Sequence, residues 1–208
     1  MRPTLTMILY NSSKWPLLVL SLALLGLLVK VHQPQAAEPV VHHQVVQRET
    51  ALLAGGCFWG MEEIIRKIPG VLSTTVGYSD GITADPTYEQ VCTGKTGHAE
   101  TVQIIFDSNL LSYTVLLDYF FRMHDPTTLN RQHNDIGTQY RSAIFYTDEE
   151  QKHTAEKVKL QWENSKKFDR PITTEIVPAK TFYRAEAYHQ NYLLKHPDGY
   201  TCHYLRDE

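Results

Sequence analysis

Apolar positions change their period along this chain. Thr50 to Ala54 is a short apolar run of strand length, and Met61 to Lys67 carries apolar residues at helical spacing. Ile68-Pro69-Gly70 stops that helix, and Val71 to Tyr78, rich in β-branched residues, reads as a strand. A long loop from Ser79 to Thr96 follows, punctuated by Gly81, Pro86 and Gly94, before the strand Thr101 to Phe106. Asp107-Ser108-Asn109 can cap a helix from about Leu110 to Met123, with Leu111, Val115, Tyr119 and Met123 on its buried face. His124-Asp125-Pro126 ends it. A polar loop from Thr127 to Gln139 leads to the strand Ser142 to Tyr146. Thr147-Asp148-Glu149-Glu150 then opens a charged helix to about Lys166 with a Thr-x-x-Glu capping box. Thr173 to Val177 is the last strand, and beyond Pro178 an irregular C-terminal tail rich in Tyr and His is expected. The order β-α-β, long loop, β-α-β-α-β predicts an α+β fold, a two-layer α/β sandwich on a mixed β-sheet.

Ahead of this domain the pattern differs. Arg2 and Lys14 lead into an almost unbroken apolar run from Trp15 to Val29, and Gln33-Pro34-Gln35-Ala36-Ala37 is polar with small residues. Residues 1–37 therefore read as an export signal cleaved near Ala37, and the expected location is outside the cytoplasm, in the periplasm. The run is shorter than the roughly 20 residues that span a bilayer comfortably. Gln35 is not the small residue expected before a cut, so the alternative is a segment left uncleaved and holding the protein at the membrane. Residues 38–49, with Pro39, His42 and His43, read as a linker, and residues 50–208 as one catalytic domain.

Composition narrows the function. A formal net charge of −3 makes no electrostatic case for nucleic acid. No GxGxxG, GxxxxGK[ST] or paired CxxC occurs, so no cofactor fingerprint is present. The ten histidines and three cysteines show neither HExxH nor CxxC spacing, so no metal is expected.

The stretch that organises the chain is Gly55-Gly56-Cys57-Phe58-Trp59-Gly60, where a strand turns into a helix. The glycines allow tight backbone geometry, and the helix start turns unpaired N–H groups towards the sulfur. That setting is expected to favour the nucleophilic thiolate. A free Cys is more often buried and inert; the flanking Phe58, Trp59 and glycines point to the reactive role. The loop Tyr88 to Glu100 brings a tyrosine and a carboxylate to the next strand, and Asn134 to Tyr140 brings Asp135 and Tyr140. Singly these are ordinary surface groups; together with Cys57 they can form one site.

Long segments in this order resemble peptide methionine sulfoxide reductase A: Gly56 to Gly60, Val76-Gly77-Tyr78, Thr87 to Cys92, Gly94 to Glu100, Asp125-Pro126-Thr127, Asn130-Arg131-Gln132, Asp135 to Ser142 and Tyr188 to Leu193. The resemblance implies a ferredoxin-like sandwich and reduction of the S epimer of methionine sulfoxide, free and in proteins, as a repair of oxidised proteins. It makes Cys57 the attacking sulfur, Glu100 a protonated acid, Tyr88 and Tyr140 the hydroxyls that hold the sulfoxide oxygen, and Asp135 a carboxylate for the substrate's polar end or for water. Phe58 and Trp59 would receive the S-methyl group. Cys57 is left as sulfenic acid, which a second thiol converts to a disulfide. Cys202 is favoured as that resolving cysteine, with Cys92 the alternative. A thioredoxin or thioredoxin-like dithiol would reopen the disulfide; no bound cofactor is implied, and a monomer is expected.

Two departures from the usual pattern stand out. Gly199-Tyr200-Thr201-Cys202 continues into His203-Tyr204-Leu205-Arg206, where many relatives run Gly-Tyr-Cys into a glycine-rich tail, and His133 stands where relatives often carry glycine. Other classes remain for the same residues. A thiol peroxidase would use an activated Cys without needing Trp59 or Glu100, and an exported binding domain would need no Cys57 at all.

Overall fold

The computed structural model describes residues 45–207, so the leader and most of the linker read in the sequence lie outside the described residues. The elements are β1 (Arg48–Gly55), α1 (Phe58–Ile65), β2 (Val71–Ser79), α2 (Tyr88–Cys92), β3 (Ala99–Asp107), α3 (Tyr113–Met123), β4 (Arg131–Gln132), β5 (Asp135–Ile136), a 3₁₀ turn at Thr138–Tyr140, β6 (Ser142–Tyr146), α4 (Glu149–Ser165), β7 (Glu175–Pro178), β8 (Tyr183–Arg184) and α5 (Tyr192–Lys195). Six strands form one sheet in the order β7-β6-β1-β3-β2-β8. The β6–β7 pair is parallel and the others are antiparallel, which makes the sheet mixed. Among the described residues no helix is long and apolar enough to cross a membrane.

Strand β1 lies between β3 and β6 and is covered on both faces. Ala51 and Leu53 join Val102, Ile104, Phe106 and Ile144 under helices α1, α3 and α4. Leu52 and Ala54 face the other way, against Ala143, Phe145, Val177 and Phe182. Burial on both faces explains why β1 reads as an unbroken apolar run rather than an alternating one. Gly77 on β2 marks where the tail crosses: a Cβ there would come within 2.3 Å of the Tyr183 carbonyl oxygen.

Several sequence expectations need correction. Arg48 and Glu49, assigned to the linker, already belong to β1, where Arg48 pairs with Asp107 and Glu49 with Phe106. Helix α3 is capped by Ser112, whose hydroxyl accepts from the Val115 amide at 3.3 Å. Asp107 instead binds the backbone amides of Gln47 and Asn109, tying the start of β1 to the end of β3. The buried face of α3 runs through Leu116, Leu117, Phe120 and Phe121, while Val115 is 46% exposed. This stripe wins because two adjacent i, i+4 ladders of large side chains bury more apolar surface than Val115 and Tyr119 could.

Helix α4 is capped by Asp148 rather than Thr147: Asp148 accepts from the Gln151 amide, and the Gln151 side chain reaches back to the Thr147 amide. The cap is therefore one residue later than expected, and the expected box is not formed, because the Gln151 side chain accepts from Thr147 and not from the N-cap amide. The loop after β2 holds the short helix α2, with its own box between Thr87 and Gln90. The tail expected to be irregular contributes β8 and α5.

The stripe assignment on α3 is tested by two substitutions. Leu116→Ala should lower the unfolding free energy by about 2–5 kcal/mol, whereas Val115→Ala should change it by no more than about 0.5 kcal/mol. Urea denaturation followed by circular dichroism distinguishes them, and equal losses would place both residues in the core.

Candidate active site

Cys57 occupies the N-cap position of α1, between a strand that ends at Gly55 and a helix that begins at Phe58. The preceding Gly56 takes φ of 106°, a conformation that side chains resist, so the sharp turn from strand to helix depends on it. Glu100 enters from β3, directly opposite Tyr78 of β2 in the ladder. Its Oε2 accepts the first amide of α1, from Phe58, at 3.0 Å. The helix N-terminus is thus occupied by a carboxyl beside the sulfur.

Burial sets the charges here. Glu100 is 1% exposed, and desolvation lifts its pKa to about 8, the Phe58 amide offsetting part of the rise and Asp135 adding to it. The Cys57 thiol is pushed well above its ordinary value, first by burial and then by the Glu100 charge, against the lowering contact with the Trp59 amide. The expected thiolate is therefore corrected: in the resting site the sulfur is a neutral thiol. A helix terminus contributes about 0.3–1 kcal/mol to an adjacent charge, less than the roughly 1–3 kcal/mol or more that desolvating an ionised group costs.

The remaining predicted residues gather with different closeness. Tyr140 ends the 3₁₀ turn, half-buried, where the charges of Glu100, Cys92, Asp135 and Cys57 all reach it. Tyr88 opens α2, and its hydroxyl meets Cys92 one turn on. Asp135, at the start of β5, accepts from Cys202 Sγ at 3.3 Å and from the Tyr200 hydroxyl at 3.1 Å. The Cys57 backbone amide lies against the Cys202 sulfur, whose pKa burial raises to about 12. All three cysteines are free thiols; Cys92 is exposed, and its sulfur meets the Tyr88 hydroxyl. Of the apolar pair, Phe58 is 1% exposed and lies beneath the site, while Trp59 is half-buried and stacked on Tyr192 at 3.8 Å. The open part of the apolar wall is Trp59. His133 adopts φ of 49° at the tip of the β4–β5 hairpin, the left-handed geometry that glycine would take more easily.

Several site residues escaped the sequence reading. Glu186 binds both the Tyr88 amide and the Tyr78 hydroxyl, at 2.9 and 2.8 Å. His189, 1% exposed, accepts the Trp59 indole N–H at Nδ1 and packs its ring 4.4 Å from that of Tyr88. His203 meets the Gly55 carbonyl. The available signal was the density of Tyr and His after Pro178, which gave no roles because no period orders it. Among the described residues no group of three or more His, Cys, Asp or Glu could hold a metal ion. A cavity of about 790 Å³ between the starts of α3 and α4 shares no lining residue with this site.

Two thiols beside a buried carboxyl and two tyrosines are the parts of a thiol-based redox site, on an α+β scaffold. Comparison with known proteins gives its family. The profile described as Peptide methionine sulfoxide reductase matches residues 49–208. A peptide methionine sulfoxide reductase MsrA from Vibrio parahaemolyticus is 50% identical over 172 residues, covering 82% of this chain and 79% of that protein. One from Nocardia farcinica is 51% identical, covering 76% of this chain and 91% of its own. Among solved structures, reduced Mxr1 from Saccharomyces cerevisiae superposes with a TM-score of 0.74 at 40% identity, covering 77% of this chain and 93% of that one. Mxr1 in complex with Trx2 matches with a TM-score of 0.53 at 27% identity, covering 80% and 97%. The chain belongs to the peptide methionine sulfoxide reductase family and is an oxidoreductase.

The buried titratable groups make stability depend on pH from both sides. Native Glu100 keeps until about pH 8 a proton that the unfolded chain releases near its ordinary value of 4.5, so folding loses stability as pH rises across that interval. His124 and His203 run the other way: burial lowers them to about 3 and about 4, so the unfolded chain gains protons first as pH falls below 6.5. Glu100→Gln should therefore match the wild type near pH 4 and exceed it by about 3–5 kcal/mol at pH 8. It should leave the acid-side loss in place. Urea titrations at the two pH values measure this, and parallel curves would place Glu100 outside a desolvated site.

Proposed function

We propose that this chain reduces the S epimer of methionine sulfoxide, free or within proteins, through a sulfenic acid on Cys57, in repair of oxidised proteins. The observation that carries the reading is the Phe58 amide holding the protonated Glu100 carboxyl at the helix start that bears Cys57. A sulfoxide needs attack at sulfur and a proton at oxygen in the same event. Cys57 Sγ attacks the substrate sulfur, Glu100 protonates the sulfoxide oxygen, and the thiol proton returns to the Glu100 carboxylate. Oxygen passes to Cys57 as S–OH and methionine leaves. A neutral thiol beside a neutral acid is suited to this exchange, because no net charge enters the buried site. Tyr88 and Tyr140, both held protonated by burial, supply hydroxyls to the oxygen. The Trp59 face would receive the methyl group, and an apolar wall on one side of a chiral sulfur selects one epimer.

Cys202 then closes a disulfide on the Cys57 sulfenic acid, a role supported by its place against the Cys57 amide. A hollow of about 290 Å³ lined by His133, Tyr200, Cys202 and His203 would admit an external dithiol. The Mxr1 complex with Trx2 supports a thioredoxin as that reductant. We also propose that the protein works as a monomer, with the leader directing export and a periplasmic thioredoxin-like partner. The discriminating experiment supplies the two purified sulfoxide epimers, with dithiothreitol and then with thioredoxin. Turnover is expected for the S epimer alone; Cys57→Ser should abolish it, and Glu100→Gln should slow the first step by roughly 10²–10⁴-fold. Reduction of hydrogen peroxide in preference to either epimer would instead show a thiol peroxidase.

A further inference from the structure

The tail that carries Cys202 is pinned at two points just beyond the thiol. Behind it, the Arg206 guanidinium binds the carbonyls of Phe121 and His124 at the end of α3, and its backbone amide binds the Arg122 carbonyl at 3.1 Å. Next to Cys202, the His203 ring is 7% exposed and sits in a niche left by the glycines of the Cys57 motif. A Cβ on Gly60 would come within 2.6 Å of His203 Nδ1, and one on Gly56 within 3.2 Å of its Cε1. This seat fixes the ring. Nε2 lies 2.8 Å from the Gly55 carbonyl oxygen, which can only accept, so Nε2 carries the ring proton. Nδ1 is then a lone pair, 3.4 Å from Cys202 Sγ.

We propose that His203 is a further catalytic residue, the base that takes the Cys202 thiol proton as Cys202 closes the disulfide on Cys57. The inference rests on the reading of Cys202 as the resolving cysteine. As the proton moves to Nδ1, Cys202 Sγ attacks Cys57 Sγ. The S–S bond forms, the S–O bond of the sulfenic acid breaks, and the leaving hydroxide departs as water with the proton from His203. Cys57 is reduced from the sulfenic to the disulfide level while Cys202 is oxidised, so no outside oxidant or reductant enters. Burial holds the His203 ring neutral, with the Gly55 carbonyl and Asp135 acting in the opposite sense. The lone pair is therefore available at neutral pH.

Asp135 Oδ2 is the competing acceptor, at 3.3 Å from the same sulfur. It already takes the Tyr200 hydroxyl proton bond. A proton on Asp135 would leave the thiolate buried without a countercharge, whereas a proton on His203 creates an imidazolium directly beside the thiolate, in a place where the Asp135 charge also favours it. Buried charges persist when paired, and only the second arrangement gives the thiolate a partner of opposite charge. The same geometry gives the Cys202-His203 dipeptide a chemical use that a glycine at position 203 could not supply.

The test is a single turnover without reductant, following methionine release, loss of free thiols and dimedone-trapped sulfenic acid by rapid quench. His203→Gln keeps an amide N–H for the Gly55 carbonyl and removes the base. It should release one methionine per chain at the wild-type rate, lose thiols about 100-fold more slowly, and accumulate trapped sulfenic acid. Thiol loss that keeps pace with methionine release would overturn the proposal. So would sulfenic acid that accumulates in Asp135→Asn but not in His203→Gln. If the glutamine variant fails to release methionine, His203→Gly decides: added imidazole should speed its thiol loss, and no effect of imidazole would sink the idea. Cys202→Ser separates the two readings, since thiol pairing that survives in it would reject the resolving role itself, independently of His203.

Discussion

The contact on which the site depends is the hydrogen bond from the first amide of α1 to Glu100, 3.0 Å long and buried. It joins two parts of the chain 42 residues apart. One end is fixed by the turn at Gly56 and the other by the register of β3, where Glu100 faces Tyr78 and Val102 faces Leu53. A one-residue slip of β3 would turn Glu100 to the opposite face of the sheet and bring Thr101 into its place. The apolar alternation of Val102, Ile104 and Phe106 under the helices forbids that slip. Core packing is therefore what places the acid, and the helix start is what satisfies it.

The same burial that positions these groups decides their charge. A short helix offers its dipole to whatever stands at its N-terminus, and on that ground alone the sulfur would ionise. Desolvation outweighs it, and the carboxyl rather than the sulfur receives the amide of Phe58. Two acidic groups held neutral side by side form a proton relay: Glu100 can take the thiol proton only after its own has passed to an acceptor such as a substrate oxygen. That is a reason for the site to be quiet towards oxidants in general, because a neutral thiol is a poor nucleophile until something accepts its proton.

Much of this was legible in the sequence and some of it was not, for physical reasons. β1 was legible as an unbroken apolar run because both its faces are buried, β2, β3 and β6 as short stretches rich in β-branched and apolar residues, and α4 from its capping residues and charged span. The stripe on α3 was read correctly at Met123 but misplaced at Val115 and Tyr119, because Tyr113, Val115, Leu116, Leu117, Tyr119, Phe120, Phe121 and Met123 fill more than half the helix circumference, and periodicity cannot choose a face when apolar residues nearly surround it. The cap of α4 moved by one residue because Thr147 and Asp148 are both good caps and Gln151 serves the second. Cys57, Glu100, Tyr140, Asp135 and Cys202 could be named as candidates, but Glu186, His189 and His203 could not. Their partners are 98 to 148 residues away in sequence, and no local rule reports a bond of that span.

The tail shows how one feature can serve two ends. Gly56 and Gly60 allow the chain to turn and the helix to start beside Cys57, and the space they leave is filled by the His203 ring from the far end of the chain. Any side chain at either position would therefore disturb the nucleophile's turn and expel the ring that seats the second thiol. The usual argument that a flexible tail is needed to bring a resolving thiol to its target does not apply here. Arg206 holds the end of α3, His203 fills the glycine niche, and the Cys202 sulfur already lies against the Cys57 amide. Entropy that a mobile tail would lose on closing has been lost on folding, so the proposed disulfide between Cys57 and Cys202 would join neighbours, with its conformational cost met in the single event of folding.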